Sequence, residues 1–393
     1  MIDKAFDKIE IEDFDYLIKN RIRESKRIEY KSTLVVGSSK DNKEFLKDVS
    51  SFANTNGGDL IFGIKEVAGL PDEICGISVP NIDAKILQVE SIIRDGISPR
   101  LRNVRIKALE VKTGFVLLIR IPESVGEIHC VSLEGHDKFY GRGENSNRKM
   151  DMQEVFAAKK EKETAYSKIE NFVSERIQDI KNNSLPVNLN SEARICIHLI
   201  PVNNFIKGER IDINDYNIQN IRPLGGGNRS PKPNFEGLIS VSYMPGPDNV
   251  PCYVQVYRSG AIETVNSDIL HPYGGYRRFV VEKNGFNYEL KILDEVRGYL
   301  EAYRNMQIDL PALLFISYLG VKDYYLASDK VHYFNREIIK IERSEFKFDT
   351  VVVNSFDDDL SQLLKPIFDS IWNACGFKRS YNYDENGSWV AGK

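Results

Sequence analysis

The stretch from Arg23 to Glu66 constrains the fold more than any other part of this chain. It reads Glu24-Ser-Lys-Arg-Ile-Glu29-Tyr-Lys31, runs through a short amphipathic segment, and closes as Phe52-Ala-Asn-Thr-Asn-Gly-Gly-Asp-Leu-Ile-Phe-Gly63-Ile-Lys-Glu66. Residues 27–31 alternate. Ile28 and Tyr30 share one parity, Glu29 and Lys31 the other, which predicts a half-buried strand with its charged pair on one face. Glu24 lies just upstream, near the end of a helical stretch that starts at about Asp13. Phe45, Leu46, Val49, Phe52 and Ala53 recur at helical spacing, so 43–54 is a helix lying on a sheet. Asn56-Gly57-Gly58 stops it, because these residues accept the left-handed backbone of a helix exit. Asp59 to Ile64 is a second strand, and Glu66 leaves its end. Pairing of the two strands brings Glu66 towards Glu24 and Glu29.

Carboxylates gathered at one spot hold a divalent metal through hard oxygen ligands, and such a metal drives phosphodiester cleavage. The same residues spread along a strand edge are ordinary solvated charge with a Glu–Lys pair. Spacing alone leaves both readings open.

Charge points to a partner. The formal net charge of -4 argues against a general nucleic-acid coat, so local patches matter more than the total. Residues 19–31 carry Lys19, Arg21, Arg23, Lys26, Arg27 and Lys31 against Glu24 and Glu29. Residues 94–107 carry Arg94, Arg100, Arg102, Arg105 and Lys107 against Asp95, and 138–149 carry Lys138, Arg142, Arg148 and Lys149 against Glu144. Basic clusters of this kind neutralise a phosphate backbone and give salt-sensitive binding. Any one of them is more often a solvated face. Three flanking one acidic motif favour binding.

The length of 393 residues predicts two or three domains, and contents of 42% hydrophobic and 28% charged are ordinary globular values. Met1-Ile-Asp-Lys opens no signal pattern, and the longest apolar runs, 115–122 and 311–321, are strand-sized. No membrane association and a cytoplasmic location are expected. Cys75, Cys130, Cys196, Cys252 and Cys375 are scattered and form no CxxC pair, so they read as reduced thiols, and no zinc site is expected. No G-x4-G-K-[ST] occurs, so ATP is not expected.

A boundary follows near residue 150. Residues 151–186 read as a connecting helix over 151–182 that ends in breaker residues, with Ile169, Phe172, Val173, Ile177 and Ile180 as its apolar stripe. Residues 187–393 read as an α+β domain of unknown role, with strands at 194–200, 237–243, 252–264, 311–319 and 348–353 and helices at 287–305 and 358–375. Leu224-Gly-Gly-Gly-Asn-Arg229 reads as a flexible loop. Tyr273, Tyr276, Arg277 and Arg278 sit in a Gly-rich stretch that either stacks on unpaired bases or packs its aromatics into its own core. Asp357-Asp-Asp359 reads as a helix N-terminal cap, and the polar tail after Phe377 as poorly ordered.

The pattern E-x4-E-Y-K followed by S-F-A-N-T-N-G-G-D-L-I-F-G-I resembles the Schlafen AlbA_2 domain family, once labelled divergent AAA. Phe115-Val-Leu-Leu-Ile-Arg-Ile-Pro-Glu-Ser124 resembles that family's strand and Pro-x-Ser turn. Lys138-Phe-Tyr-Gly-Arg142-Gly-Glu-Asn-Ser-Asn147 resembles its next strand and polar turn. The likeness covers about residues 10–160. It implies a Schlafen AlbA_2-like α/β lobe over 1–150, which together with the second α+β domain read from its own pattern makes an α+β chain. It implies a protein that binds RNA, such as tRNA, and cuts it as a metal-dependent endoribonuclease. Glu24, Glu29 and Glu66 would hold Mg²⁺ or Mn²⁺, with Lys31 on the scissile phosphate. Glu66 stands where the family usually has Asp, and Asp59 is the fallback third carboxylate. Arg23, Lys26, Arg27, Arg100, Arg102, Arg105, Lys138, Arg142 and Arg148 would bind nucleic acid. The rival expectations are a non-catalytic DNA-binding regulator, and an effector lobe with a C-terminal sensor domain. Schlafen cores close two such lobes on RNA, whereas this motif occurs once, so a homodimer is expected, with the 151–182 stripe as a candidate contact.

Overall fold

The computed structural model describes residues 1–391 except 3, 5, 102–103, 125, 144–145, 228–229, 243–249, 273, 283–284 and 330–337. The chain forms two compact units, 1–167 and 168–393.

The first unit begins with α1 (Ile11–Lys19), whose start is fixed by Asp13 accepting from the Glu10 N–H at 2.8 Å. The helix ends five residues before Glu24, earlier than the sequence suggests. Arg21 adopts φ 50°, its N–H reaches Ile18 O at 3.0 Å, and the Ile22 N–H reaches Leu17 O at 2.9 Å. These two bonds satisfy the last carbonyls and turn the chain away. Strand β1 (Ile28–Lys31) then runs parallel to β2 (Gly58–Phe62), with Ile28 opposite Asp59 and Lys31 opposite Phe62. Parallel neighbours need a crossover, and α2 (Ser39–Asn54), capped by Ser38, supplies it. At its exit Gly57 has φ 62°, and a side chain there would meet Glu123 N at 2.6 Å.

Hairpin β3 (Ile64–Val67) and β4 (Leu70–Ile74) turns through Ala68 and Gly69, both at positive φ. Helix α3 (Ile82–Gly96) follows, an element the sequence reading did not identify. Strands β5 (Ile97–Ser98), β6 (Arg105–Val111), β7 (Gly114–Ile121), β8 (Cys130–Leu133), β9 (His136–Arg142) and β10 (Asn147–Lys149) complete the unit. The main sheet has the order β1-β2-β7-β6, and a second has the order β10-β9-β8-β5. The main sheet is covered on both faces. Leu60, Phe62, Leu117 and Ile119 cluster with Phe45, Val49 and Phe52 of α2. The opposite parity, Ile28, Tyr30, Ile61, Val116 and Leu118, clusters with Phe14 and Leu17 of α1. Strand alternation therefore points Glu29 and Lys31 to the α2 side.

Helix α4 (Met152–Lys181) runs through the boundary between the units. Ile169, Val173, Ile177 and Ile180 are at most 7% exposed, and Phe172 meets Phe205 and Tyr257 at ring distances of 5.2 and 5.1 Å. The stripe expected to contact a second copy is therefore already covered.

The second unit contains β11 (Arg194–Pro201), α5 (Val202–Lys207), α6 (Tyr216–Gln219), β12 (Ser230–Pro233), β13 (Gly237–Ser242), β14 (Cys252–Tyr257), β15 (Ile262–Asn266), β16 (Arg278–Val281), α7 (Tyr288–Asn305), β17 (Ala312–Leu319), β18 (Tyr325–Ser328), β19 (Glu345–Lys347), β20 (Val351–Val353) and α8 (Leu360–Ala374). Its sheet runs β12-β13-β14-β15-β11-β17-β19, with β20 also on β17. Residues 252–264, expected as one strand, are a hairpin, because Gly260 at φ 84° reverses the chain and the Tyr257 N–H reaches Ala261 O. Asp359 caps α8, accepting from Ser361 N. Leu224, expected in a flexible loop, is fully buried and donates its N–H to Thr264 Oγ1 at 2.9 Å.

The described part of the tail, residues 378–391, packs onto the unit, contrary to expectation. Ser380 and Asn382 are fully buried and donate to Glu289 at 2.8 and 2.7 Å. Trp372 Nε1 donates to the same carboxylate at 2.6 Å. A buried carboxylate needs such donors, and the tail provides two of them. No described helix is long and apolar enough to cross a membrane.

Candidate functional site

Strand β1 is an edge strand, so its outer N–H groups need partners from elsewhere. Glu24 supplies one: its Oε1 accepts from Tyr30 N at 2.9 Å. The Glu24 N–H donates to Gly69 O at 2.8 Å, which ties this loop to the turn of the β3–β4 hairpin. Glu66 closes that turn, its Oε2 accepting from Gly69 N at 2.6 Å. Burial pushes the Glu24 carboxyl up, and the nearby Glu29 and Glu66 add to this, partly offset by the Tyr30 N–H. The three glutamates are thus electrostatic neighbours.

Glu29 projects towards α2. Its Oε1 lies 2.5 Å from Lys31 Nζ and its Oε2 lies 2.5 Å from Arg142 Nη1. Burial raises its carboxyl, but the Arg142 and Lys31 charges outweigh burial and hold it below the ordinary carboxylate range. Lys31 Nζ is also 3.3 Å from Asp48 Oδ2. Burial lowers the Lys31 ammonium, yet Asp48 and Glu29 hold it above its ordinary value. Asp48 was not among the residues chosen from the sequence. Its other oxygen accepts from Asn147 Nδ2 of β10. Burial, and then the Glu29 charge, push Asp48 up to about 6. The signal for it was present: Asp48 stands three residues after Phe45 and four before Phe52, a carboxylate on the apolar stripe of α2.

Arg142, expected on nucleic acid, is instead built into this centre. Its side chain is 4% exposed, its guanidinium sits 3.9 Å over the Phe52 ring, and its Nε has no partner. A guanidinium so enclosed orients Glu29 and does not track a phosphate backbone.

The remaining expected cations divide. Arg23, Lys26 and Arg100 are exposed, and Arg27 and Lys138 half-buried. Arg105 lies 4.6 Å over the Phe6 ring and Arg148 pairs with Glu154, so both are already engaged. Arg102 lies outside the described residues. Asp59, the fallback carboxylate, is not part of the site. It is fully buried, Arg120 Nε lies 2.8 Å from its Oδ1, and its Oδ2 accepts from Ile2 N at 2.7 Å. Tyr276 is 59% exposed with the Arg278 guanidinium 5.4 Å from its ring, so it does not pack into a core, and Tyr273 lies outside the described residues.

Four of the six oxygens that these three glutamates could offer a metal are already engaged. One Glu24 oxygen holds a backbone N–H, both Glu29 oxygens hold cations, and one Glu66 oxygen closes a turn. Among the described residues no group of three or more His, Cys, Asp or Glu side chains is placed to hold a metal ion. As arranged, the side chains do not fit a divalent cation.

The order of the landmarks, from Glu24 through the glycine exit of α2 to the β9–β10 turn, matches a known pattern. Residues 24–151 match the family described as Schlafen, AlbA_2. The AlbA_2 match ends where α4 begins, so it covers the lobe and not the second unit. No curated protein matches the chain. Among solved structures, the chain is similar to the DIP2311 protein from Corynebacterium diphtheriae, with 18% identity and a TM-score of 0.28 over 39% of this chain and 28% of that one. It is also similar to the N-terminal domain of a putative ATP-dependent DNA helicase RecG-related protein from Nitrosomonas europaea. There the identity is 26% and the TM-score 0.22, over 28% of this chain and 69% of that one.

Proposed function

We propose that the AlbA_2 lobe binds the phosphate backbone of a nucleic acid, RNA in the first instance, at the loop between α1 and β1. One observation carries this reading. Arg21, Arg23 and Lys26 are exposed, and none has an acidic partner among the described residues. They bracket Glu24 and lead into the strand that presents Lys31, whose side chain is 39% exposed. Unpaired cations in a row release counterions when a polyanion replaces them.

The second reading is the endoribonuclease, with tRNA as substrate and Mg²⁺ or Mn²⁺ as cofactor. The mutual repulsion of Glu24, Glu29 and Glu66 favours it, because such crowding is what an added cation relieves. Against it stands Glu29, already neutralised by two cations. Pairing of two chains, if it builds a groove, needs a face other than the α4 stripe.

Labelled single-stranded RNA and labelled tRNA, each followed by anisotropy for binding and by gel for cleavage with Mn²⁺, separate the readings. Binding without cleavage is expected from the first. Cleavage abolished by EDTA and by Glu24→Gln supports the second. In that variant an amide oxygen still accepts the Tyr30 N–H, so the fold is kept. Absence of binding overturns both.

A further inference from the structure

We propose that Asp48 gates this site by competing with the nucleic-acid phosphate for Lys31, a regulation that rests on the reading of the AlbA_2 lobe as a nucleic-acid binder. Lys31 stands between two carboxylates, 2.5 Å from Glu29 and 3.3 Å from Asp48. The two are not equivalent. Glu29 keeps Arg142 at 2.5 Å whatever Lys31 does. For Asp48, Lys31 is the cation at ion-pair distance among the described residues, and its other oxygen has the neutral Asn147 amide. Movement of Lys31 towards a phosphate therefore leaves Asp48 buried and unpaired, which costs free energy.

The groups facing Asp48 make the balance explicit. Strand β1 contributes Glu29 and Lys31, β9 contributes Arg142, and β10 contributes the uncharged Asn147. On α2 itself, Lys47 is 3.3 Å from Glu44. With Asp48 ionised, the two acids and two bases of this centre cancel, and Glu24 beside them leaves a negative excess that opposes an incoming phosphate. Protonating Asp48 removes that excess and releases Lys31. Burial already pushes this carboxyl up to about 6, and Glu29, held by Arg142 as well as by the shared Lys31, leaves the proton to Asp48.

A binding-competent state populated in a small fraction weakens apparent affinity by that fraction. With a midpoint of about 6, the protonated form is roughly 3% at pH 7.5 and roughly 75% at pH 5.5, so the gate is worth at most about 25-fold in affinity.

The test uses the full chain with labelled single-stranded RNA in EDTA at fixed ionic strength, at pH 5.5 and 7.5. Wild type is expected to bind several-fold to about 25-fold tighter at the lower pH. Asp48→Asn, which keeps the shape and the Asn147 contact, is expected to bind at pH 7.5 as wild type does at 5.5 and to lose most of the pH dependence. Adding Lys31→Met is expected to cancel that gain. A wild-type profile that is flat overturns the gate without any variant. An Asp48→Asn profile that parallels wild type, or weaker binding by Asp48→Asn at pH 7.5, overturns it also. Loss of RNA binding by wild type at both pH values overturns the nucleic-acid reading itself, whereas binding with an unchanged Asp48→Asn profile removes only the gate.

Discussion

Replacing Glu29 by Gln is the natural test of a catalytic carboxylate, and the structure says it will do more than remove a ligand. Arg142 is 4% exposed and its Nε has no partner. Its guanidinium depends on Glu29 at 2.5 Å, on the Phe52 ring, and on Ser25 O at 3.3 Å. Removing one member of a buried ion pair costs about 3–5 kcal/mol, because the other charge stays buried. Glu29 is 12% exposed and Gln retains one acceptor, so about 3 kcal/mol is the expected loss. For a unit of this size, 1 kcal/mol moves Tm by roughly 2–4 °C, which gives a fall of roughly 6–12 °C. Calorimetry of the full chain measures it. Both tryptophans, Trp372 and Trp389, lie in the second unit, so their fluorescence identifies that unit's transition and leaves the other for the AlbA_2 lobe. The pH dependence carries a sign. Glu29 is held below the ordinary carboxylate range, so its contribution is full above that range and is lost as pH falls through its depressed value. The difference between wild type and Glu29→Gln is therefore expected to be large at pH 7 and to shrink in acid. A lobe transition within about 2 °C of wild type at pH 7 refutes the reasoning, and makes the pair worth no more than a surface contact.

Other outcomes follow from the same geometry. Asp59→Asn is expected to lower the lobe's Tm by several degrees without changing RNA affinity, because Asp59 serves Arg120 and the Ile2 N–H rather than the site; calorimetry and anisotropy on one sample check both halves. In the second unit, Glu263 receives Arg176, His198 and Tyr253 at 2.8–3.0 Å while fully buried, and these donors and charges overcome burial to hold it at about 2. Glu263→Gln is expected to cost about 3 kcal/mol at pH 7, an effect lost as pH falls from the ordinary carboxylate range towards about 2, and tryptophan fluorescence during urea unfolding reads it. Replacing Ser380 and Asn382 together by Ala strips both donors from buried Glu289, and is expected to destabilise the same transition by about 2–3 kcal/mol.

The sequence carried the scaffold of the lobe well, because its signals are local. Parity placed Ile28 and Tyr30 inward, helical spacing placed α2, and the glycine pair placed its exit. Parity also set Glu29 and Lys31 on one face, although what that face meets is a tertiary matter. Asp48 was visible as a carboxylate on an apolar stripe, and its partner Lys31 became evident only once α2 lay across β1. Arg142 shows the opposite failure. Its basic cluster resembled a phosphate surface, but strand β9 turned this one member inward onto Phe52 and Glu29. The hairpin at Gly260 and the packed tail were missed for related reasons. A single glycine in an apolar run does not announce a reversal, and polar residues such as Ser380 and Asn382 look solvated until a buried Glu289 is found to need them.

The central claim is that the α1–β1 loop takes a phosphate backbone, and the salt dependence of RNA binding tests it most directly. The slope of log affinity against log salt is measured for wild type and for the chain carrying Arg21→Gln, Arg23→Gln and Lys26→Gln. Each lost contact to a single strand reduces the slope by about 0.7, so the triple variant is expected to be shallower by about 2. A triple variant with the wild-type slope contradicts the account and returns these three side chains to solvent.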